Sequence, residues 1–271
     1  MMTPGTLSAY LLEKKANGEK ALVSYLVAGY PTVKNFQKHL SSVLEASDLV
    51  EIGFPFSDPL ADGTTIQRAF QRVLEQGLEF ETFCRVLAPV VSRSRKPLML
   101  MSYLNPVLQH GLEKAASRLA KLNFRGILFP DLPLEEGESV RKVMNRYGIE
   151  IVYLLSPATS LKRAQRILRR SQAFVYLVSL KGVTGARSQI PAETLEYLKR
   201  IRTLCSQPLY VGFGISHPLQ VAQLSPWVDG VIVGSALLER LEESGQGTKK
   251  AGLFLKGLKE TLNQAKEESR P

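Results

Sequence analysis

With 271 residues, 44% hydrophobic and 22% charged, the chain has the composition of a soluble globular protein and the length for one barrel-sized domain or two smaller ones. Its formal net charge of +10 is spread over helix-like segments that carry residues such as Lys162, Arg163, Arg166, Arg169 and Arg170. Without interleaved aromatics, this fits solvated helix faces and general attraction to an anionic substrate better than a nucleic-acid site. Two cysteines without metal spacing, no apolar run near the roughly 20 residues of a membrane span, and no basic leader before an apolar core point to a reduced, cytoplasmic protein.

Leu7, Tyr10, Leu11 and Ala16 recur at helical spacing and stop at Asn17-Gly18, which predicts a helix before any strand. A buried strand follows over Ala21 to Ala28, then a helix on Phe36, Leu40, Val43 and Leu44, then a strand over Asp48 to Gly53. Further strands are predicted at Leu98 to Ser102, Gly126 to Phe129, Ile151 to Leu155, Phe174 to Ser179, Leu209 to Gly212 and Gly230 to Val233. Helical patterns alternate with them at Leu112 to Leu122, Glu138 to Tyr147, Leu161 to Arg170, Ala192 to Leu204 and Leu219 to Leu224. About eight strands separated by helices is the signature of a (β/α)8 TIM barrel, with a doubly wound open sheet as the alternative. The extra N-terminal helix, an inserted helix over Glu79 to Ser92 after strand 2, and a last helix around Leu253 to Leu262 all fit one domain over residues 1–271.

The stretch from Glu51 to Gln67 (EIGFPFSDPLADGTTIQ) follows the second strand and holds three carboxylates in a segment too rich in Gly and Pro for regular structure. Pro55 and Pro59 stiffen the backbone, Gly53 and Gly63 allow close approaches, and Thr64 or Thr65 is expected to cap the next helix. Glu51 and Asp62 suit a general acid/base and an orienting carboxylate; equally, Glu51 would cap a backbone amide and Asp62 make a turn with Gly63. Asp58, between prolines, is expected to shape the loop or meet a partner.

Gly212-Phe213-Gly214-Ile215-Ser216 and Gly234-Ser235 follow the last two strands, where barrels present backbone N–H groups and a short helix start to phosphate. Gly185 can add another amide, and the loop from Ser179 to Ser188 is a candidate lid or else a plain surface loop. Tyr25, Met101, Tyr103, Leu128, Phe129, Tyr176 and Ile232 stand near strand ends, to line a pocket or simply fill the core. His39, His110 and His217, read as lying in a helix, a turn and a helix start, have no metal-site spacing, so no metal is assigned.

The stretch from Glu51 to Gln67 resembles the loop of the tryptophan synthase α subunit family, E-x-G-x-P-F-S-D-P-x-A-D-G-x-x-I-Q. The resemblance continues through Tyr103-Leu-Asn-Pro106 and Asp131-Leu-Pro133 to Gly234-Ser235. It implies a lyase that cleaves indole-3-glycerol phosphate to indole and glyceraldehyde 3-phosphate, with Glu51 and Asp62 as the catalytic acids. Tyr25, Leu128, Tyr176 and Ile232 would then surround the indole, Tyr103 would lie near the catalytic carboxylate, and Thr184 on the closing lid would approach Asp62. Gly185, Phe213, Gly214, Gly234 and Ser235 would hold the phosphate. The resemblance also implies no cofactor on this chain and a β-subunit partner carrying pyridoxal phosphate, in an α2β2 complex. Val27 and Tyr30 depart from the family's T-x-G-D-P segment, and Leu180 stands where many members have Arg. An α-like subunit that only activates its partner, and a different phosphate-binding barrel such as a sugar-phosphate isomerase, are the alternatives.

Overall fold

The computed structural model describes residues 5–178, 190–243 and 245–267. Helix α1 (Leu7–Ala16) precedes the barrel, which begins with β1 (Ala21–Val27), α2 (Val33–Ala46), β2 (Leu49–Gly53), α3 (Thr64–Leu74) and α4 (Phe80–Val91). The middle comprises β3 (Leu98–Met101), α5 (Leu104–His110), α6 (Leu112–Lys121), β4 (Phe124–Leu128), α7 (Glu138–Arg146), β5 (Glu150–Leu155) and α8 (Leu161–Arg170). It closes with β6 (Val175–Val178), α9 (Ala192–Leu204), β7 (Leu209–Gly212), α10 (Pro218–Leu224), β8 (Gly230–Val233), α11 (Ser235–Leu241) and α12 (Gly247–Glu267). Every neighbouring strand pair is parallel, and β8 returns to β1 in the register Ala21↔Gly230 to Ser24↔Val233, so the sheet is the closed barrel expected and not an open one.

Two short helices, α5 and α11, go beyond the sequence reading; at seven residues each they are too short to show a periodic face. His110 therefore ends a helix and does not sit in a turn. The start of α3 also differs. Gly63 is its N-cap with no side-chain bond, and Thr64 is already the first helical residue, so neither threonine caps it. Gln67 stabilises this entry by donating from Nε2 to the Asp62 carbonyl at 2.9 Å and to the Pro59 carbonyl at 3.2 Å.

The alternation of each strand sorts side chains between two apolar layers. Leu22, Leu26, Val50, Ile52, Leu98 and Leu100 face the helices, whereas Ala21, Val23, Leu49, Met99, Phe174 and Tyr210 fill the lumen. Leu7 and Leu11 of α1 join the lumen cluster, so α1 stops the amino-terminal end of the barrel. A side chain at Gly126 would collide with Leu7, and the Glu150 carboxylate accepts from the Ser8 backbone N–H at 2.7 Å. Asp48 fastens the same end: it accepts from the Leu22 N–H at 2.8 Å and pairs with Lys14 of α1 at 2.9 Å and Lys259 of α12 at 2.6 Å.

Candidate active site

At the opposite end of the barrel, the carboxyl ends of the strands surround a cavity of about 480 Å³. This is the face on which parallel β/α barrels place ligands. Tyr25, Met101, Leu128, Leu154, Tyr176 and Ile232 give it an apolar body, while Asp62 enters from the loop after β2.

Glu51 stands third in the five-residue β2 and lies in register with Tyr25 on β1 and Met99 on β3. Its inward side of the strand is set by alternation with Val50 and Ile52, which face the helices. The side chain has no solvent exposure, and among the described residues neither carboxyl oxygen has a hydrogen-bond partner. Burial, reinforced by the nearby Asp62 charge, pushes its pKa up to about 8. A carboxyl group in this condition holds its proton at neutral pH and can both give and retake it. Among the described residues no amide reaches Glu51, so none of them is capped by it.

Asp62 is held differently. The Tyr103 hydroxyl donates to its carboxylate at 2.8 Å, and the same hydroxyl oxygen accepts from the Ala61 N–H at 2.9 Å. Asp62 also takes part in a turn, its N–H donating to the Pro59 carbonyl at 3.1 Å. The two carboxyl groups thus occupy contrasting surroundings, one orphaned in an apolar wall and one fixed by a phenol. Asp58 is exposed and accepts from the Ser57 hydroxyl at 2.8 Å, which shapes the loop tip.

A recurring step between neighbouring strands makes room for the tyrosines. Tyr25 lies across Gly53, where a methyl group would overlap its hydroxyl, and Tyr176 lies across Gly212, where a methyl would come within 2.9 Å of its ring. Tyr25 also packs beside Gly234, whose added carbon would stand 3.4 Å from the ring. Gly214 adopts a φ of +67°, the left-handed region that favours glycine. Gly212, Gly214, Gly234 and Ser235 close one end of the cavity, with Gly234 as the N-cap of α11 and Ser235 its first residue.

Most of the residues singled out from the sequence are brought together here: Tyr25, Asp62, Leu128, Tyr176, Gly214, Ile232, Gly234 and Ser235 all line the cavity. Glu51 lies just beneath the wall, near enough for its charge to act on both Tyr25 and Tyr176. Tyr103 contributes through Asp62. Phe129 and Phe213 are buried and are not among the residues that line the cavity. Thr184, Gly185, Leu180 and the lid from Ser179 to Ser188 lie outside the described residues. Sequence reasoning missed Ile66 and Leu154, although the alternation Val152-Leu154 signals an inward-facing side chain on β5. At the end of β1, Val27 and Tyr30 are fully enclosed, and the Arg72 guanidinium lies over the Tyr30 ring at 5.8 Å. The polar pair of the family pattern is therefore replaced by packing.

Among the described residues, no group of three or more His, Cys, Asp or Glu is placed to hold a metal ion, and no helix is long and apolar enough to cross a membrane.

A closed parallel barrel with a buried carboxyl group under one cavity wall, a second carboxylate held by a phenol and glycine turns among the lining residues defines a (β/α)8 protein with a two-carboxylate cavity at its carboxyl face. More narrowly, the chain belongs to the tryptophan synthase alpha chain family, whose model matches residues 11–267. It is 44% identical over 232 residues to the tryptophan synthase alpha chain of Carboxydothermus hydrogenoformans, covering 85% of this chain and 86% of that one. The Arabidopsis thaliana tryptophan synthase alpha chain is 40% identical over 262 residues, covering 94% and 95%. A solved structure from the tryptophan synthase α2β2 complex of Pyrococcus furiosus superposes with a TM-score of 0.83 at 34% identity, covering 88% of this chain and 97% of that one.

Proposed function

We propose that this protein cleaves indole-3-glycerol phosphate to indole and glyceraldehyde 3-phosphate, as the α component of a tryptophan synthase in L-tryptophan biosynthesis. The observation that carries this is Glu51, unpartnered among the described residues and buried beside a cavity with an apolar body and a glycine-lined end, where burial favours the protonated form. The reaction is a retro-aldol. Glu51 gives its proton to C3 of the indole, and Asp62 accepts the ring N–H and stabilises the positive charge that develops there. The Glu51 carboxylate then takes the proton of the hydroxyl on the adjoining carbon. The O–H electron pair becomes the aldehyde π bond, and the C–C bond pair returns to the ring and restores indole. Glu51 ends protonated, as it began. Tyr25, Leu128, Tyr176 and Ile232 enclose the indole, while backbone amides around Phe213, Gly214, Gly234 and Ser235, with Gly185, bind the phosphate and supply remote binding energy that positions the reacting carbon. Thr184 would approach Asp62 when the lid closes.

We assign no cofactor to this chain and place it, as a single barrel domain, in the cytoplasm. Its partner is a pyridoxal-phosphate-dependent β subunit in an α2β2 assembly, in keeping with the complex named for the Pyrococcus relative. The exposed loop around Asp58 and Leu60 offers a docking surface.

Indole release from indole-3-glycerol phosphate, measured with and without a cognate β subunit, tests the proposal. The native chain should release indole, and Glu51→Gln should reduce kcat by at least about a thousandfold, since the shuttling proton is removed. A native complex that releases no indole while its β activity rises would overturn the lyase and leave only an activating subunit.

A further inference from the structure

Glu51 is not the only unsatisfied group at the cavity. The Tyr25 hydroxyl is also buried without a hydrogen-bond partner among the described residues, although a buried phenol usually finds one. Tyr25 and Glu51 are register partners on adjacent parallel strands, both project into the barrel, and the Glu51 carboxyl acts electrostatically on the Tyr25 phenol. The space that admits the hydroxyl exists because residue 53 is glycine: a methyl group there would occupy the position of the Tyr25 Oη. Tyrosine here therefore carries a polar atom that the fold accommodates but does not use. Phenylalanine would fill the same ring volume without leaving a polar group unpaired.

We infer that the Tyr25 hydroxyl is a direct polar contact to the substrate, donating to the oxygen of the same hydroxyl group that gives its proton to Glu51. The inference rests on the lyase reading above. One substrate hydroxyl satisfies both orphans at once, because it donates to the carboxylate and accepts from the phenol. Such a donor stabilises the negative charge that grows on this oxygen as its proton leaves, and it distinguishes hydroxyl-bearing substrates from apolar indole derivatives. The phenol is suited to this because burial, together with the Asp62 and Glu51 charges, raises its pKa well above the ordinary tyrosine value and keeps the proton on the oxygen. Its ring also lies against Gly234, so the contact is tied to the cavity end that would hold the phosphate.

The test is Tyr25→Phe, read by two ligands. Affinity is measured in the Glu51→Gln background, where substrate is not consumed, for indole-3-glycerol phosphate and for the indole-propyl phosphate that lacks side-chain hydroxyls. Adding Tyr25→Phe should weaken the hydroxylated ligand roughly tenfold and change the hydroxyl-free one less than about twofold. In the otherwise native enzyme, Tyr25→Phe should lower kcat roughly tenfold or more while its melting temperature holds or rises. Equal weakening of both ligands, or no weakening of either, would overturn the contact. A native chain that binds neither ligand would overturn the substrate reading, and this inference with it.

Discussion

Glu51 opposes the stability of the fold that carries it. Its pKa rises on folding from an ordinary carboxyl value to about 8, so over the interval between those values the folded chain holds one proton more than the unfolded chain. Stability therefore falls as pH rises through that interval and levels off above about 8. Glu51→Gln, isosteric and without a charge to bury, should raise the melting temperature. The gain should be small near pH 5, grow toward pH 8 and reach about 2–4 kcal/mol there. Thermal melts across that range check it, and a gain independent of pH would show that the carboxyl group is not the cause. The identities of both acids were legible in the loop sequence. Their different states were not, because those depend on surroundings assembled from distant segments: Tyr25 and Tyr176 near Glu51, and the Tyr103 phenol on Asp62.

At the scale of elements, the eight strands and most helices were readable because buried strands form short apolar runs between turn signals. What escaped were α5 and α11, and the glycine N-cap of α3. The first two are short elements, and α5 is fixed by a tertiary contact, the Asp131 carboxylate accepting from the Leu104 N–H at 3.0 Å at its start; the α3 cap is set by local Gln67 bonds that no capping pattern announces. A similar long-range tie explains the sealed end of the barrel. Asp48 binds β1 through Leu22, α1 through Lys14 and α12 through Lys259, so one carboxylate joins the first two elements to the last helix. Although its burial works the other way, these cationic and amide partners hold its pKa below the usual value. Asp48→Asn, which keeps the shape and removes the charge, should destabilise the protein at neutral pH by about 1–3 kcal/mol. The difference should vanish as pH falls through the depressed native pKa, where Asp48 itself is neutral. Urea unfolding of both proteins at neutral and acid pH measures this.

For the whole molecule, a net charge of +10 is not gathered into one binding face, since many arginines are already engaged with acids. Arg163 and Arg166 meet Glu135, while Arg141 and Arg170 meet Glu138. The remaining field acts at a distance and should draw a phosphorylated substrate toward the cavity. Raising ionic strength from about 20 to about 200 mM should lower kcat/KM severalfold and leave kcat nearly unchanged, as screening shortens the reach of that field. A kcat/KM insensitive to salt would count against steering. The stopper at the other end sets a different constraint, on manufacture. Helix α1 is made before the described barrel strands, yet the cluster it joins includes Phe174 and Tyr210, which are made only after five of those strands. The nascent chain must therefore carry Leu7 and Leu11 without their complete socket until β7 has been made. Lys14 and Lys15 give that waiting segment positive charge, which favours its solubility until the structure it completes has formed.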